Sequence, residues 1–340
     1  MPRKAEPIPA TTRAKFALLR AYFALTLVTS VGVASIVTRI LYLIPGLSLE
    51  RRKSLSAQAA GLSFRLVLAM NPQITVEYIS STGNGTQPDK APWDELFADE
   101  HSRPLVLINH TSTFDSLFYS AMVPLSIIGK LKTLAKSGLW KVPLFGTILD
   151  ACGHFPVYFT KEAVAGEFSV NKQAQDDVMR RLEEHVTNGG GLSMFPEGQI
   201  NRVDTAELQA FRRGTFAVAR KHNMTIWAFL HTGVEDFWPT QVRTFGGFPS
   251  RIVFKLFKVP PPPKDMDLPE YVDHIQKIMQ LELDLLCAVH RGAPSAEIFA
   301  AQRTLDEAIR DASHGDSDLQ HALQDGVQLL SKNEQKMTKE

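Results

Sequence analysis

The 340-residue sequence has almost no cysteine and almost no net charge. Its two cysteines, Cys152 and Cys287, can build neither a disulfide framework nor a multi-cysteine zinc site. Lys plus Arg total 37 against 36 for Asp plus Glu, so no bulk positive charge points to nucleic acid. No G-x-S-x-G occurs, which disfavours an esterase or lipase built on a nucleophile elbow. Gly189–Gly191 lacks the Lys-Ser/Thr of a phosphate-binding loop and reads as a helix stop. A mean hydropathy of −0.08 excludes a polytopic membrane protein. No internal repeat is visible. Hydrophobic residues at 44% and charged residues at 21% leave a globular balance with material for a large core.

One apolar run is long. Ala21–Thr38 is 18 residues without a charge, between Arg20 and Arg39. As a helix it measures about 27 Å, near the thickness of a bilayer's hydrocarbon core, and is a candidate transmembrane helix. A helix pair lying in one leaflet and a buried core helix fit the same run. A cleaved signal peptide fits less well, because the charged leader is long and no A-x-A site closes the run. Basic residues stand on both sides (Arg3, Lys4, Arg13, Lys15 and Arg20; Arg39, Arg51, Arg52 and Lys53), so orientation is unreadable. The expected organisation is N-terminal membrane-associated helices over 1–72, an α/β domain over 73–292 and a helical extension over 293–340.

Within the middle region, apolar runs alternate with helical ones. Strands are expected at Ile74–Ser80, Pro104–Ile108, Leu131–Ala135, Phe155–Phe159, Leu192–Phe195, Thr225–Leu230 and Arg251–Phe257, and helices at Thr113–Val123, Gly138–Asp150, Ala163–Thr187 and Ala206–Lys221. That alternation predicts an α/β fold with a mostly parallel central sheet flanked by helices. Ser81–Pro92 reads as a loop and Pro260–Pro263 as a stiff spacer. Asp267 then caps a helix to about His290, with Glu270 as its capping-box partner.

Three stretches could carry chemistry. Asn109-His110-Thr111-Ser112-Thr113-Phe114-Asp115 places a histidine just after a strand and a carboxylate five residues on, at a helix start. Asp115 could orient one ring nitrogen of His110 and leave the other as a base; a helix cap beside an ordinary loop histidine fits equally. Phe195-Pro196-Glu197-Gly198 puts a carboxylate on a rigid corner at a strand end, or is a simple turn. Phe211-Arg212-Arg213-Gly214 sets two guanidinium groups at a helix start, suited to phosphate, although adjacent arginines are more often a surface pair. His231, at a strand end, is a lesser candidate for a supporting role, and Cys152 with His154 falls short of a metal site.

Taken in order, NHTSTFD, FPEG and FRRGTFAVAR resemble the glycerolipid acyltransferase family, typified by 1-acyl-glycerol-3-phosphate acyltransferases, over roughly Ile74 to Phe257. Lys136 in LAKSGLWKVPLFG is similar to the family's lysine ahead of its W-x-x-P-x-x-G stretch, and Gly153–Val157 to its second block. Three positions depart from the pattern. Phe159 stands where the second block has arginine, Gln199-Ile200-Asn201 separate FPEG from Arg202, and Ile226–Leu230 lacks the proline of the fourth block.

The resemblance implies acyl transfer from acyl-CoA to the free hydroxyl of lysophosphatidic acid, giving phosphatidic acid. Glycerol 3-phosphate or a head-grouped lysophospholipid is the alternative acceptor, and a non-catalytic lipid-binding scaffold the alternative of another class. It makes His110 the general base and Asp115 its orienting anion. Glu197 would bind the acceptor's glycerol part, with Arg202, Arg212, Arg213 and Lys136 for its phosphate and backbone amides near Gly198 for the oxyanion. A thioester is already activated, so neither a metal nor a cofactor is expected beyond acyl-CoA as co-substrate. The expected partners are acyl-CoA, a lysophospholipid and the bilayer, without nucleic acid; oligomeric state is not legible. The expected location is a membrane, the endoplasmic reticulum in a eukaryote or the inner membrane in a bacterium.

Overall fold

A computed structural model describes residues 17–80, 85–86, 88–98, 101–158, 172–242, 244–262 and 266–312. The basic residues ahead of position 17, Phe159, the first part of the helix expected at Ala163–Thr187 and the tail beyond 312 lie outside these residues.

Two helices come first, α1 (Ala17–Leu43) and α2 (Leu49–Met70), joined by a turn at Pro45-Gly46 where Gly46 takes a φ of 81°. Strands β1 (Ile74–Ile79) and β2 (Gly85–Thr86) follow, the latter inside the stretch expected to be only a loop. The central alternation runs β3 (Pro104–Ile108), α3 (Asp115–Met122), α4 (Leu125–Ile128), β4 (Leu131–Lys136), α5 (Phe145–Cys152), β5 (Phe155–Val157), α6 (Lys172–Thr187), β6 (Gly191–Met194), α7 (Gly214–Lys221), β7 (Thr225–Thr232), α8 (Val234–Phe237) and β8 (Ser250–Lys258). Helices α9 (Leu268–His290) and α10 (Ser295–Ala312) close the described chain. Asp267 and Glu270 form the expected capping box at the start of α9.

The strands form one sheet in the order β2-β1-β8-β7-β3-β6-β4-β5. Five neighbouring pairs are parallel; β1–β2 and β7–β8 are antiparallel. The sheet is therefore mixed, mostly parallel around β3. All five residues of β3 are buried, as a strand covered on both faces requires. One face packs under α1, α2 and α3 (Phe23, Phe64, Phe118, Val106, Phe229), the other under α6, α7 and α9 (Leu182, Phe216, Leu286, Leu105, Leu107). The N-terminal helices thus share a core with the sheet.

Two expected helices are shortened for physical reasons. Gly138–Asp150 is broken at Pro143, with a 3-10 turn before it and α5 after it. Leu144 there has φ 64° and ψ −48°, and Phe145 N–H bonds Pro143 O at 2.7 Å, which makes a tight γ-turn. Of Ala206–Lys221, only Gly214–Lys221 is helical. The preceding stretch lies as a strap on α9, where side chains take over its amides: Leu208 N–H bonds Gln280 Oε1 (2.7 Å) and Phe211 N–H bonds Gln276 Oε1 (3.2 Å). In α6, Val178, Leu182 and Val186, spaced four apart, are buried against the sheet, and Gly189 (φ 82°) supplies the stop.

Candidate active site

Strands β3 and β6 are parallel neighbours with Leu107 opposite Met194, so their C-terminal ends bring the His110 turn and the FPEG corner side by side. After β3 the chain turns through Asn109–Phe114, and Asp115 is the first residue of α3. Its side chain is fully buried, and Oδ2 accepts from Thr111 N–H (2.7 Å), Ser112 N–H (2.8 Å) and His110 Nδ1 (2.8 Å). The carboxylate closes the turn as a local cap while holding the imidazole. With Nδ1 committed, Nε2 is the ring nitrogen left for chemistry. Ser112 serves the turn: its hydroxyl accepts from Phe114 N–H (3.2 Å) and donates to Trp238 O (2.8 Å).

The FPEG corner grips the same turn from the other side. Phe195 stacks on the His110 ring at 4.1 Å between centroids and an interplanar angle of 26°. Glu197 is buried, with Oε1 accepting from His110 N–H (2.8 Å) and Oε2 from Gln209 N–H (3.0 Å). Asn201 N–H completes the tie with a 2.6 Å bond to His110 O. Where the sequence suggested a contact with the acceptor, the structure has both Glu197 oxygens bonded to backbone amides, which ties the His110 turn to the strap. Burial pushes its carboxyl up to about 7, against the pull of the two amides. The Gly198 amide, expected to help hold an oxyanion, instead donates to Phe195 O at 3.0 Å. Gly198 itself is required by its φ of 73° and by Arg212, whose Cγ would lie 3.1 Å from an added Cβ.

A cleft of about 460 Å³ opens at this corner, lined by His110, Phe195, Gly198 and three of the expected cations, Lys136, Arg212 and Arg213. Arg212 N–H is fixed to Pro196 O at 2.8 Å, so the FPEG corner also sets the start of the arginine pair. Arg202 is exposed and does not line the cleft. Buried Asn201 bonds the chain on its far side, accepting at Oδ1 from Val203 N–H (3.1 Å), and the 202–203 bulge is turned outward. A smaller cavity of about 70 Å³ adjoins the cleft, sharing Ser116, Thr133, Ala135, Leu139 and Phe195. Its other walls are largely apolar and include Ala57, Ala60 and Phe64 of α2.

Sequence reading passed over most of the residues that brace the site. Asn109 exchanges two bonds with the His231 backbone, Nδ2 to O at 2.9 Å and Oδ1 from N–H at 3.0 Å. Glu235, half-buried and pushed up to about 7 chiefly by desolvation, accepts from Thr111 Oγ1 (3.3 Å), Thr232 Oγ1 (2.9 Å) and Gly233 N–H (3.0 Å). The partners of Asn109 lie 122 positions along the chain and those of Glu235 include one 124 away, so no local spacing signals them. Buried Cys152 and half-buried His154 line the smaller cavity and not the cleft; Lys132 Nζ caps the carbonyl of Cys152 at the end of α5 (2.6 Å), and His154 Nδ1 accepts from Thr133 N–H (3.1 Å).

Residues 94–231, from the 3-10 turn ahead of β3 to the penultimate residue of β7, match the model of the family described as Acyltransferase. No curated protein matches the sequence. Among solved structures, the fold matches the crystal structure of a 1-acyl-sn-glycerophosphate (LPA) acyltransferase, PlsC, from Thermotoga maritima, with a TM-score of 0.58 and 16% identity. The match covers 82% of this chain and 98% of that one.

Proposed function

We propose, from the match of residues 94–231 to the Acyltransferase family and from the geometry of the site, that this enzyme moves an acyl group from acyl-CoA to the hydroxyl of lysophosphatidic acid, with His110 as general base. The observation that carries this reading is the 2.8 Å contact of His110 Nδ1 with buried Asp115 beside a cleft that His110 lines. Nε2 takes the proton of the acceptor hydroxyl as its oxygen attacks the thioester carbonyl. A C–O bond forms and the carbonyl becomes an oxyanion. Collapse breaks the C–S bond, and the imidazolium returns its proton to the departing thiolate. Asp115 stabilises that imidazolium in the interval. Atoms balance with ester and free CoA as products, so no acyl-enzyme, metal or redox cofactor is called for.

Lys136, Arg212 and Arg213 on the cleft wall suit the acceptor's phosphate monoester. The apolar cavity beside Phe195 suits the first methylenes of an acyl chain.

The membrane reading follows α1. Arg20 at one end bonds Thr244 Oγ1 (2.6 Å) and Phe245 O (3.2 Å); at the other, Arg39 reaches Thr147 Oγ1 (3.4 Å) and Tyr42 donates to Ala151 O (2.9 Å). Phe23, Leu27 and Ala34 are buried against the domain, while Leu18, Leu25, Val28, Val33, Ile36 and Ile40 face outward. Attachment of both helix ends to the α/β domain supports a helix lying along one leaflet over one that crosses the bilayer. The helix lies in one leaflet with its apolar outer face down, bringing the cleft to the lipid surface.

The test supplies labelled acyl-CoA and a panel of lyso-acceptors to the membrane-bound protein, repeated with His110→Ala. Labelled phosphatidic acid that disappears in the variant supports the reading. Product undiminished in the variant rejects the base, transfer to glycerol 3-phosphate or a head-grouped lysophospholipid alone rejects the acceptor, and free fatty acid alone rejects transfer.

A further inference from the structure

We infer that His231 is a positioning residue for the catalytic pair, donating from Nε2 to Asp115 Oδ1, the carboxylate oxygen that His110 does not use. The inference deepens the general-base reading of His110 and rests on it. Oδ2 of Asp115 carries three bonds, whereas Oδ1 has no hydrogen-bond partner among the described residues. His231 Nε2 lies 3.7 Å from Oδ1, and neither ring nitrogen of His231 has a hydrogen-bond partner among the described residues. Both side chains are fully buried. A buried polar atom left unpaired is costly, and here facing donor and acceptor can relieve each other with a small closing movement.

The surroundings hold the ring in place. Strand alternation puts Trp227, Phe229 and His231 on one face of β7, the face covered by α3. Phe118 meets the imidazole edge-on at 5.8 Å and Phe229 lies at 6.1 Å. Among the buried apolar residues that precede it on β7, His231 is the ring placed beneath Asp115. Its backbone is bolted to Asn109, the residue before the base, so any shift of β7 is felt by both ends of the pair.

Burial lowers the tendency of His231 to take a proton, with Asp115 opposing and His110 reinforcing that effect. A neutral ring supplies one N–H without adding a cation. A charged one would compete with the His110 imidazolium for the same carboxylate. The other titratable groups of this neighbourhood are Glu197, on His110 N–H, and Glu235, on Thr111 Oγ1.

The test compares His231→Phe, which keeps a ring and removes the donor, with His231→Gln, which keeps an N–H. The readouts are kcat and KM for both substrates and the acid limb of the kcat/KM profile. The Phe variant is expected to lose about tenfold or more in kcat with KM little changed, the scale of one buried hydrogen bond. Its acid limb should move to higher pH, because an Asp115 relieved of a donor holds the His110 proton more tightly. His231→Gln should recover most of both effects. A folded Phe variant with wild-type kcat and an unmoved acid limb would overturn the inference.

Should the Phe variant not fold, imidazole nitrogen NMR of the intact enzyme decides. A neutral His231 with the proton on Nε2 and a resonance that shifts in Asp115→Asn supports the bond; a proton on Nδ1, or no response to Asp115→Asn, refutes it. His110→Ala separates the two readings. If it leaves turnover intact, the base assignment fails; if it abolishes turnover while His231→Phe behaves as wild type, only the present inference fails.

Discussion

The catalytic turn and the cationic rim of the cleft are built in opposite ways. The turn is over-determined: Asp115 closes it from within, Glu197 holds His110 N–H, Glu235 holds Thr111, and Phe195 covers the imidazole. The rim is built from exposed Lys136 and Arg213 and half-buried Arg212, and Arg202 has left it altogether. Proton transfer demands fixed geometry, so on the proposed general-base mechanism rigidity is concentrated where the proton would move. Recognition of a phosphate tolerates several cations at loose distances. The chemistry of the chain is therefore held more tightly than its choice of acceptor.

The largest test of that contrast removes the pair itself. His110→Ala and Asp115→Asn are each expected to lower kcat by about 10²–10⁴, measured by label transfer into phosphatidic acid, with protein level and melting temperature recorded alongside. Asp115→Asn should also be destabilised, since Oδ2 serves two backbone amides.

Next comes the clamp. Glu197→Ala strips partners from His110 N–H and Gln209 N–H and is expected to cost about 1–3 kcal/mol of stability and at least tenfold in kcat. A variant that instead raises KM for the acceptor at constant kcat would return Glu197 to an acceptor-binding role.

At the rim, Arg213→Ala should raise the KM for lysophosphatidic acid several-fold with kcat nearly kept, about 1 kcal/mol of ground-state binding. Arg202→Ala should change neither constant; a loss of acceptor affinity there would show that the 202–203 bulge turns inward with substrate bound.

The smallest effect is a pH dependence. Glu197 and Glu235 are both pushed up to about 7 from a reference of 4.5. A raised carboxyl pKa means that the folded state binds the proton more tightly than the unfolded one. This contribution to stability is complete below about 4.5 and is lost as pH rises through about 7. Melting temperatures between pH 4.5 and 8 should show that loss, and Glu197→Gln should flatten it; an unchanged slope would place the titration elsewhere.

The same contrast explains what the sequence made legible. His110 and Asp115 are five positions apart and joined by one turn, so their pairing is a local property that spacing reveals. The parallel strands show as short apolar runs, and β3 fell where its composition placed it. The strap before α7 misled because Leu208 and Phe211 have a helical spacing, yet their amides are taken by Gln280 and Gln276 on α9. Glu197 is a different case: a carboxylate on a strand-end corner suggests a ligand, and its bonds to two backbone amides become visible only in the tertiary structure. The long apolar helix was visible as such, but its two tethers to the sheet domain depend on Thr244, Phe245, Thr147 and Ala151, distant in sequence and ordinary in type.

The most direct test of direct, His110-driven transfer is a single-turnover rapid-quench experiment with labelled acyl-CoA and lysophosphatidic acid. Label should pass from thioester to phosphatidic acid without residing on the protein, and His110→Ala should abolish the transfer. Protein-bound label that rises and falls ahead of product, or an His110→Ala variant that turns over at the wild-type rate, would contradict it.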